Sequence, residues 1–261
     1  KEGAYLFKIY TLKKPDDIRF EIEALNMLSA SDFSSPRLIK TRGGLALVNY
    51  EEKPAVLYRY IDGAPKDVWN LSELEEVGML IGRMHTILRN FPNRSRMGTW
   101  DHDALPMFVR IEGEQLIHRG FPDAKNLLAR LTNELTRIRL PRDLPCGFTH
   151  QDIKPENVII KNGTVRGIVD FDNAYYGTLL HDITTTVIWS CYTNNKLDDA
   201  RVGALMKGYE SVRPLTADER SCFGEALKFR LLREAFIGPF AAHPAHILRT
   251  KERTDYFLSL V

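Results

Sequence analysis

Cysteine is scarce in this sequence of 261 residues: Cys146, Cys191 and Cys222 stand far apart, in no C-x-x-C or Cys/His pattern. That spacing excludes a zinc finger or a disulfide framework and leads us to expect three reduced thiols in a cytoplasmic protein. Long apolar runs are missing too, and no signal peptide is visible, so no membrane partner is expected. Neither charge is in excess: Lys plus Arg is 36, Asp plus Glu is 34, and the formal net charge is +2. Without a basic block, a nucleic-acid partner is not expected. No internal repeat or low-complexity tract interrupts the chain. What is present is an ordinary apolar fraction, 44%, enough for a sizeable core in one large domain or two closely packed ones.

The first sixty residues alternate short apolar runs with turn signals. Ala4 to Tyr10 reads as a strand. A helix follows, with Asp16 and Asp17 near its start and Ile18, Ile22, Leu25 and Leu28 at helical spacing. Three short strands come next, in "PRLIKT", "GLALVNY" and "PAVLYRYI". "IDGAP" (Ile61 to Pro65) breaks the pattern, and the chain then turns mostly helical. Ser72 and Glu75 suggest a capping box ahead of a stripe at Leu74, Val77, Ile81, Met84 and Leu88. A second amphipathic helix is expected from about Asp123 to Ile138. Beyond Asp182 the chain again reads as helical, broken at Pro214 and at Gly238–Pro239. The expected fold class is α+β: a small β-rich lobe, residues 1–61, and a larger, mostly helical lobe, residues 62–261. Two lobes invite a ligand-binding cleft.

Between the helical stretches lies "HQDIKPENVIIKNGTVRGIVDFDN", residues 150–173. Its Asn162-Gly163 pair, flanked by apolar runs, is a strong hairpin signal. Such a turn folds the end of the second strand back beside the loop that precedes the first. Asp152, Asn157 and Asp170 then converge. Carboxylate and amide oxygens are hard ligands suited to Mg²⁺, and a remaining aspartate can take the proton of an attacking hydroxyl. This is the equipment of phosphoryl transfer. Taken singly, each of these residues is more often a turn former. The joint spacing, H-x-D-x-x-x-x-N, a hairpin, then D-F-D, is what carries the reading.

"HQDIKPENVII" followed by "GIVDFDNA" resembles the catalytic and metal-binding signature of the protein-kinase-like fold. "DFDNAYYGTLLHDI", with its later Asp182, is similar to the aminoglycoside phosphotransferase and choline kinase family in particular. "VLYRYIDGAP" resembles that family's hinge, and no A-P-E element is present. The resemblance covers nearly the whole chain. The family's nucleotide loop joins two strands ahead of a lysine strand, and the sequence opens at the strand that bears Lys8. The resemblance implies a two-lobed small-molecule kinase using ATP and Mg²⁺. Asp152 becomes the general base, and Asn157 and Asp170 the metal ligands. Lys8 contacts the α- and β-phosphates with Glu21 as its helix partner (Glu23 is the alternative). Adenine meets the hinge backbone near Arg59 and Ile61, with Tyr58 beside it. Asp172 assists the metal or caps its turn, and Lys154 steadies the γ-phosphate or is exposed. The resemblance leaves His150 to brace the loop, and His85 reads as a packing residue.

The acceptor is a small molecule with a hydroxyl group. From Tyr175 to Val261 acids and bases nearly balance, so no acidic patch announces a polycationic antibiotic. Trp189, Tyr192 and Tyr175 would serve a choline cage, or simply the core. "KGYESVRPLTADER" is similar to the C-terminal part of the family's homoserine kinases. Arg230 and Arg233 would then hold a carboxylate, although a solvated helix face is an equal reading. The sequence favours a small metabolite, an amino acid or amino alcohol such as homoserine, as acceptor. An aminoglycoside phosphotransferase and a pseudokinase scaffold are the alternatives. Oligomeric state is not legible.

Overall fold

A computed structural model describes residues 3–96, 98, 101–241 and 247–261. The chain opens with β1 (Tyr5–Ile9), α1 (Pro15–Ala30), β2 (Arg37–Ile39), β3 (Leu47–Tyr50) and β4 (Lys53–Arg59). β4 is the centre of this antiparallel sheet. β1 pairs along one edge, with Lys8 opposite Val56, while β2 and β3 share the other. α1 buries Ile18, Phe20, Ala24, Leu25 and Leu28, and also Glu21.

Helices dominate thereafter: α2 (Leu71–Ile87), α3 (Leu105–Glu112), α4 (Glu114–His118) and α5 (Ala124–Leu135). The α2 stripe is buried as the spacing predicts, but the cap lies two residues earlier. The Asn70 side chain accepts from the Glu73 amide at 2.9 Å, and Glu73 accepts from the Asn70 amide at 2.8 Å. Ser72 falls inside the first turn and Glu75 just beyond it instead, because Leu71 already adopts helical geometry. The expected helix near Asp123 to Ile138 is α5, which ends at Leu135.

Two short ribbons follow. β5 (Cys146–Thr149) pairs with β8 (Tyr175–Thr178), and between them β6 (Val158–Lys161) pairs with β7 (Thr164–Ile168). Asn162 and Gly163 both have positive φ, 53° and 73°, as a tight primed turn requires. The remaining elements are α6 (Leu180–Ser190), the small hairpin β9 (Tyr192–Thr193) and β10 (Lys196–Leu197), α7 (Asp199–Glu210), α8 (Ala217–Ser221), α9 (Phe223–Ala241) and α10 (Ile247–Ser259).

α2 and α7 pack with backbones almost touching. A β-carbon on Gly208 would sit 1.9 Å from the Glu75 carbonyl oxygen, and one on Gly78 would sit 2.1 Å from that of Leu205. Gly238–Pro239 does not break the chain as expected; α9 runs through it to Ala241. Proline lacks the amide that would bond the Ala235 carbonyl one turn back, and the Thr254 hydroxyl of α10 donates to that carbonyl at 3.4 Å. The three cysteines are free. No helix among the described residues is long and apolar enough to cross a membrane.

Candidate functional site

The β5–β8 ribbon delivers the loop 150–157 to the N-terminus of α6. There Asp182, wholly buried, accepts from the amides of His150 at 2.9 Å and Gln151 at 2.7 Å, and meets His85 Nε2 at 3.0 Å. Burial opposes its charge, but the His85 hydrogen bond and charge and the loop amide prevail and hold the carboxyl below its ordinary value. His85 is a satisfied packing residue, its Nδ1 lying 3.0 Å from the Tyr209 hydroxyl. Gln151 is left-handed, φ 68°, a conformation unfavourable for a side chain of its size. It is held there by the Asp182 carboxylate and by Arg230, whose two Nη atoms donate to the Gln151 side-chain and backbone oxygens at 3.0 and 2.8 Å. His150 braces the loop: its Nε2 meets the Val169 carbonyl at 3.1 Å, and its Nδ1 faces the Asp152 amide at 3.3 Å. Burial keeps this imidazole below its ordinary pKa, which suits a neutral ring that donates on one side and accepts on the other.

Asp152, Asn157 and Asp170 come together at the end of the hairpin away from its turn. Asn157 Nδ2 donates to the Asp152 backbone oxygen at 2.9 Å and to its carboxylate at 3.0 Å. The Asn157 carbonyl accepts from the Val169 amide at 2.9 Å, which sets Asp170, the next residue, beside it. Asn173 and Lys154 also reach the Asp152 carboxylate, at 3.3 and 3.1 Å. With Nδ2 engaged, Asn157 keeps its side-chain oxygen as a further donor atom for a cation. Lys8 Nζ already sits as a cation between two carboxylates, 3.1 Å from Asp170 and 2.5 Å from Asp172. Oxygen donors that gather a positive charge fit a magnesium ion.

Lys8, Glu21, Tyr58, Arg59, Ile61 and Asp170 all line one cavity of about 400 Å³, a size ordinary for a small-molecule site. The expected Lys8–Glu21 contact takes a different form. Lys8 is spent on Asp170 and Asp172, while Glu21 accepts from the hydroxyls of Tyr58 at 2.8 Å and Tyr10 at 3.2 Å. The lysine facing Glu21 is Lys13, at 3.8 Å; it also donates to the Asp172 carbonyl at 2.6 Å. Sequence reading missed Lys13 because nothing in "TLKKPDD" marks it. Burial lowers the Lys8 pKa, but the Asp172 hydrogen bond and the charges of Asp170, Glu21 and Asp172 raise it further, so the amine stays charged.

Near Asp152 a second charged group gathers. Lys154 and Arg253 both lie over the Trp189 ring, 5.5 and 4.3 Å from its centre. Glu234 pairs with Arg230 at 2.9 Å, Arg253 at 3.7 Å and Arg233 at 4.0 Å. The two arginines singled out from the sequence therefore differ. Both Nη atoms of Arg230 are engaged by Gln151, leaving only its Nε without a hydrogen-bond partner among the described residues, whereas the buried Arg233 has two such nitrogens, Nε and Nη1, the latter 4.0 Å from Glu234. A further cluster, Asp101 with His102 and His181, is an anchor. One Asp101 oxygen lies 2.9 Å from His102 Nδ1 and 2.8 Å from His181 Nε2, and the other accepts from the Thr178 amide at 3.1 Å.

Residues 1–215 match the family model described as "Phosphotransferase enzyme family". The homoserine kinase of Pseudomonas aeruginosa is 30% identical over 236 residues, spanning 89% of this chain and 73% of the relative. That of Methylobacterium radiotolerans is 28% identical over 246 residues, spanning 89% and 74%. Among solved structures, the amicoumacin kinase hAmiN, in complex with AMP-PNP, Ca²⁺ and Ami, shares the fold. Its TM-score is 0.71 at 16% identity, over 99% of this chain and 86% of that one.

Proposed function

The chain belongs to the phosphotransferase enzyme family, and from that premise we propose that it transfers the γ-phosphoryl group of ATP to the side-chain hydroxyl of homoserine. It is a small-molecule kinase with ATP and a divalent metal as cofactors. In this reading Asn157 and Asp170 hold the metal, which when bound shields the phosphate charge. Asp152 accepts the hydroxyl proton as the acceptor oxygen bonds to the γ-phosphorus and the bond to the ADP oxygen breaks. Lys8 leaves Asp170 and Asp172 for the phosphates, which carry more negative charge. Arg59 and Ile61 meet the adenine through their backbones, with Tyr58 and Glu21 closing the wall behind. The boundary between the lobes falls at residues 61 and 62 in this reading, and the cytoplasm is the compartment that suits free thiols and ATP.

The observation that carries the reading is one of position. Every residue assigned to nucleotide lines one cavity together with the proposed metal ligand Asp170, the other proposed ligand Asn157 bonds the proposed base Asp152, and Glu234 of α9 is close enough to feel the charge of Asp152. Homoserine is favoured by the names of the relatives and by Arg233, a buried guanidinium with two nitrogens free to bond a carboxylate. ADP release measured with homoserine, aminoglycosides, choline and simple amino alcohols tests the choice. Turnover greatest with homoserine is expected, and turnover confined to an aminoglycoside would move the chain to the antibiotic phosphotransferases.

A further inference from the structure

Asp170, the proposed metal ligand, has a left-handed backbone, φ 64° and ψ 68°. That conformation costs a residue with a side chain free energy and persists only where its surroundings impose it. A short 3-10 turn, Phe171–Asn173, follows at once. Phe171 anchors this turn in the core, its ring 4.6 Å from that of His150, which braces the loop of Asp152. The turn is also held by two cations from distant parts of the chain. Lys13, between β1 and α1, donates to the Asp172 backbone carbonyl at 2.6 Å, and Arg96 Nη1, beyond α2, donates to the same oxygen at 3.1 Å. Each cation is itself tethered. Lys13 lies 3.3 Å from the Asp172 carboxylate and 3.8 Å from the buried Glu21, which Tyr58 and Tyr10 hold. Arg96 Nε lies 3.6 Å from Asp17 in the first turn of α1, and the Arg96 carbonyl accepts from the Tyr176 amide of β8 at 2.7 Å. Among the described residues that line the cavity of Lys8 and Asp170 neither cation appears, so their route to the site is through Asp172.

We propose that Lys13 and Arg96 are positioning residues for the metal: by gripping the Asp172 carbonyl from two segments they fix the turn that aims Asp170 at its cation. The inference rests on the reading of Asp170 as a metal ligand and adds to it the residues that set its geometry. Charge and position act in opposite directions here. A lysine ammonium beside Asp172 would by its charge alone oppose a second cation, so its removal would strengthen metal binding. If Lys13 instead holds the turn in place, its removal weakens metal binding.

Calorimetric titration with ATP, once with Mg²⁺ and once with EDTA, separates the two. The ratio of the two affinities is the share of binding that the metal carries. In Lys13→Met this ratio should fall by about tenfold, the worth of one charge-assisted bond, while the affinity in EDTA stays within about twofold of native. Lys13→Arg, which keeps a charged donor, should recover most of the ratio. Arg96→Gln should lower it too, and to a smaller extent, because its bond to the carbonyl is the longer one. Melting of each variant without ligand establishes that it is folded, and Arg96→Gln carries the test should Lys13→Met fail to fold. A ratio that rises in Lys13→Met shows a counter-charge and overturns the proposal. So does an affinity that falls as far in EDTA as in Mg²⁺, since Lys13 would then meet the phosphates itself. An unchanged ratio in either folded variant overturns it as well. If the native protein binds ATP no better with Mg²⁺ than with EDTA, it is the reading of Asp170 as a metal ligand that falls.

Discussion

Replacing Asp182 by Asn changes one oxygen of a carboxylate into an NH₂ group and leaves the shape intact. The native carboxylate faces three nitrogens: the amides of His150 and Gln151, and His85 Nε2. Asparagine can keep the Gln151 bond with its one carbonyl. Its NH₂ then confronts the His150 amide and His85. His85 can adapt by moving its proton to Nδ1, where the Tyr209 hydroxyl lies 3.0 Å away. The His150 amide cannot, and becomes a buried donor facing a donor. The lost charge-assisted bonds and the orphaned amide together amount to about 3–5 kcal/mol. For a chain of this size each kcal/mol lowers Tm by roughly 2–4 °C, so a fall of about 10 °C is expected by calorimetry. The remaining folded enzyme should also lose turnover, because Asp152 stands one residue beyond Gln151. The acid limb gives a second readout. The folded pKa of Asp182 is depressed, so its contribution is present above the unfolded value and is lost as pH falls towards the folded one. The stability gap between native protein and variant should therefore narrow on acidification. A loss of Tm below about 2 °C at neutral pH, or a gap that widens in acid, would refute this account of the loop.

Lys13→Met removes the cation joining Glu21 to Asp172. We expect kcat/KM for ATP to fall by about tenfold or more, the loss of one charge-assisted bond, in steady-state assays with the acceptor saturating. Gly208→Ala forces the α2–α7 crossing apart, since the added carbon meets backbone oxygen at 1.9 Å. A destabilisation of about 1–3 kcal/mol should appear in urea melts, with an unchanged KM for ATP.

Much of the site was legible because its signals are local. The Asn162-Gly163 turn fixes the hairpin, and the hairpin fixes where Asp170 falls relative to Asp152 and Asn157. The strand of Lys8 followed from its apolar, β-branched run, and Ile18, Leu25 and Leu28 of α1 from helical spacing, whereas Ile22 is only partly buried and the buried Phe20 and Ala24 were not picked out. What escaped depends on partners far away in sequence. β5 and β8 are four residues each, too short to show a period, and find one another across 25 intervening residues. Arg230 and Arg233 look alike in "FRLLREAF", and only Gln151, 79 residues from Arg230, tells them apart. Lys13 matters through Asp172, 159 residues away. The cap of α2 was misplaced because Asn70 and Ser72 are both good cap residues and only the backbone decides between them.

The most direct measurement follows phosphate signals by NMR in a mixture of ATP, Mg²⁺ and homoserine, with native enzyme and with Asp152→Asn, alongside calorimetric titration of each protein with ATP and Mg²⁺. The native enzyme should form a phosphate monoester and ADP. Asp152→Asn should bind nucleotide with similar affinity yet lose turnover by about a hundredfold or more. Undiminished ester formation by Asp152→Asn would contradict the assignment of Asp152 as the base.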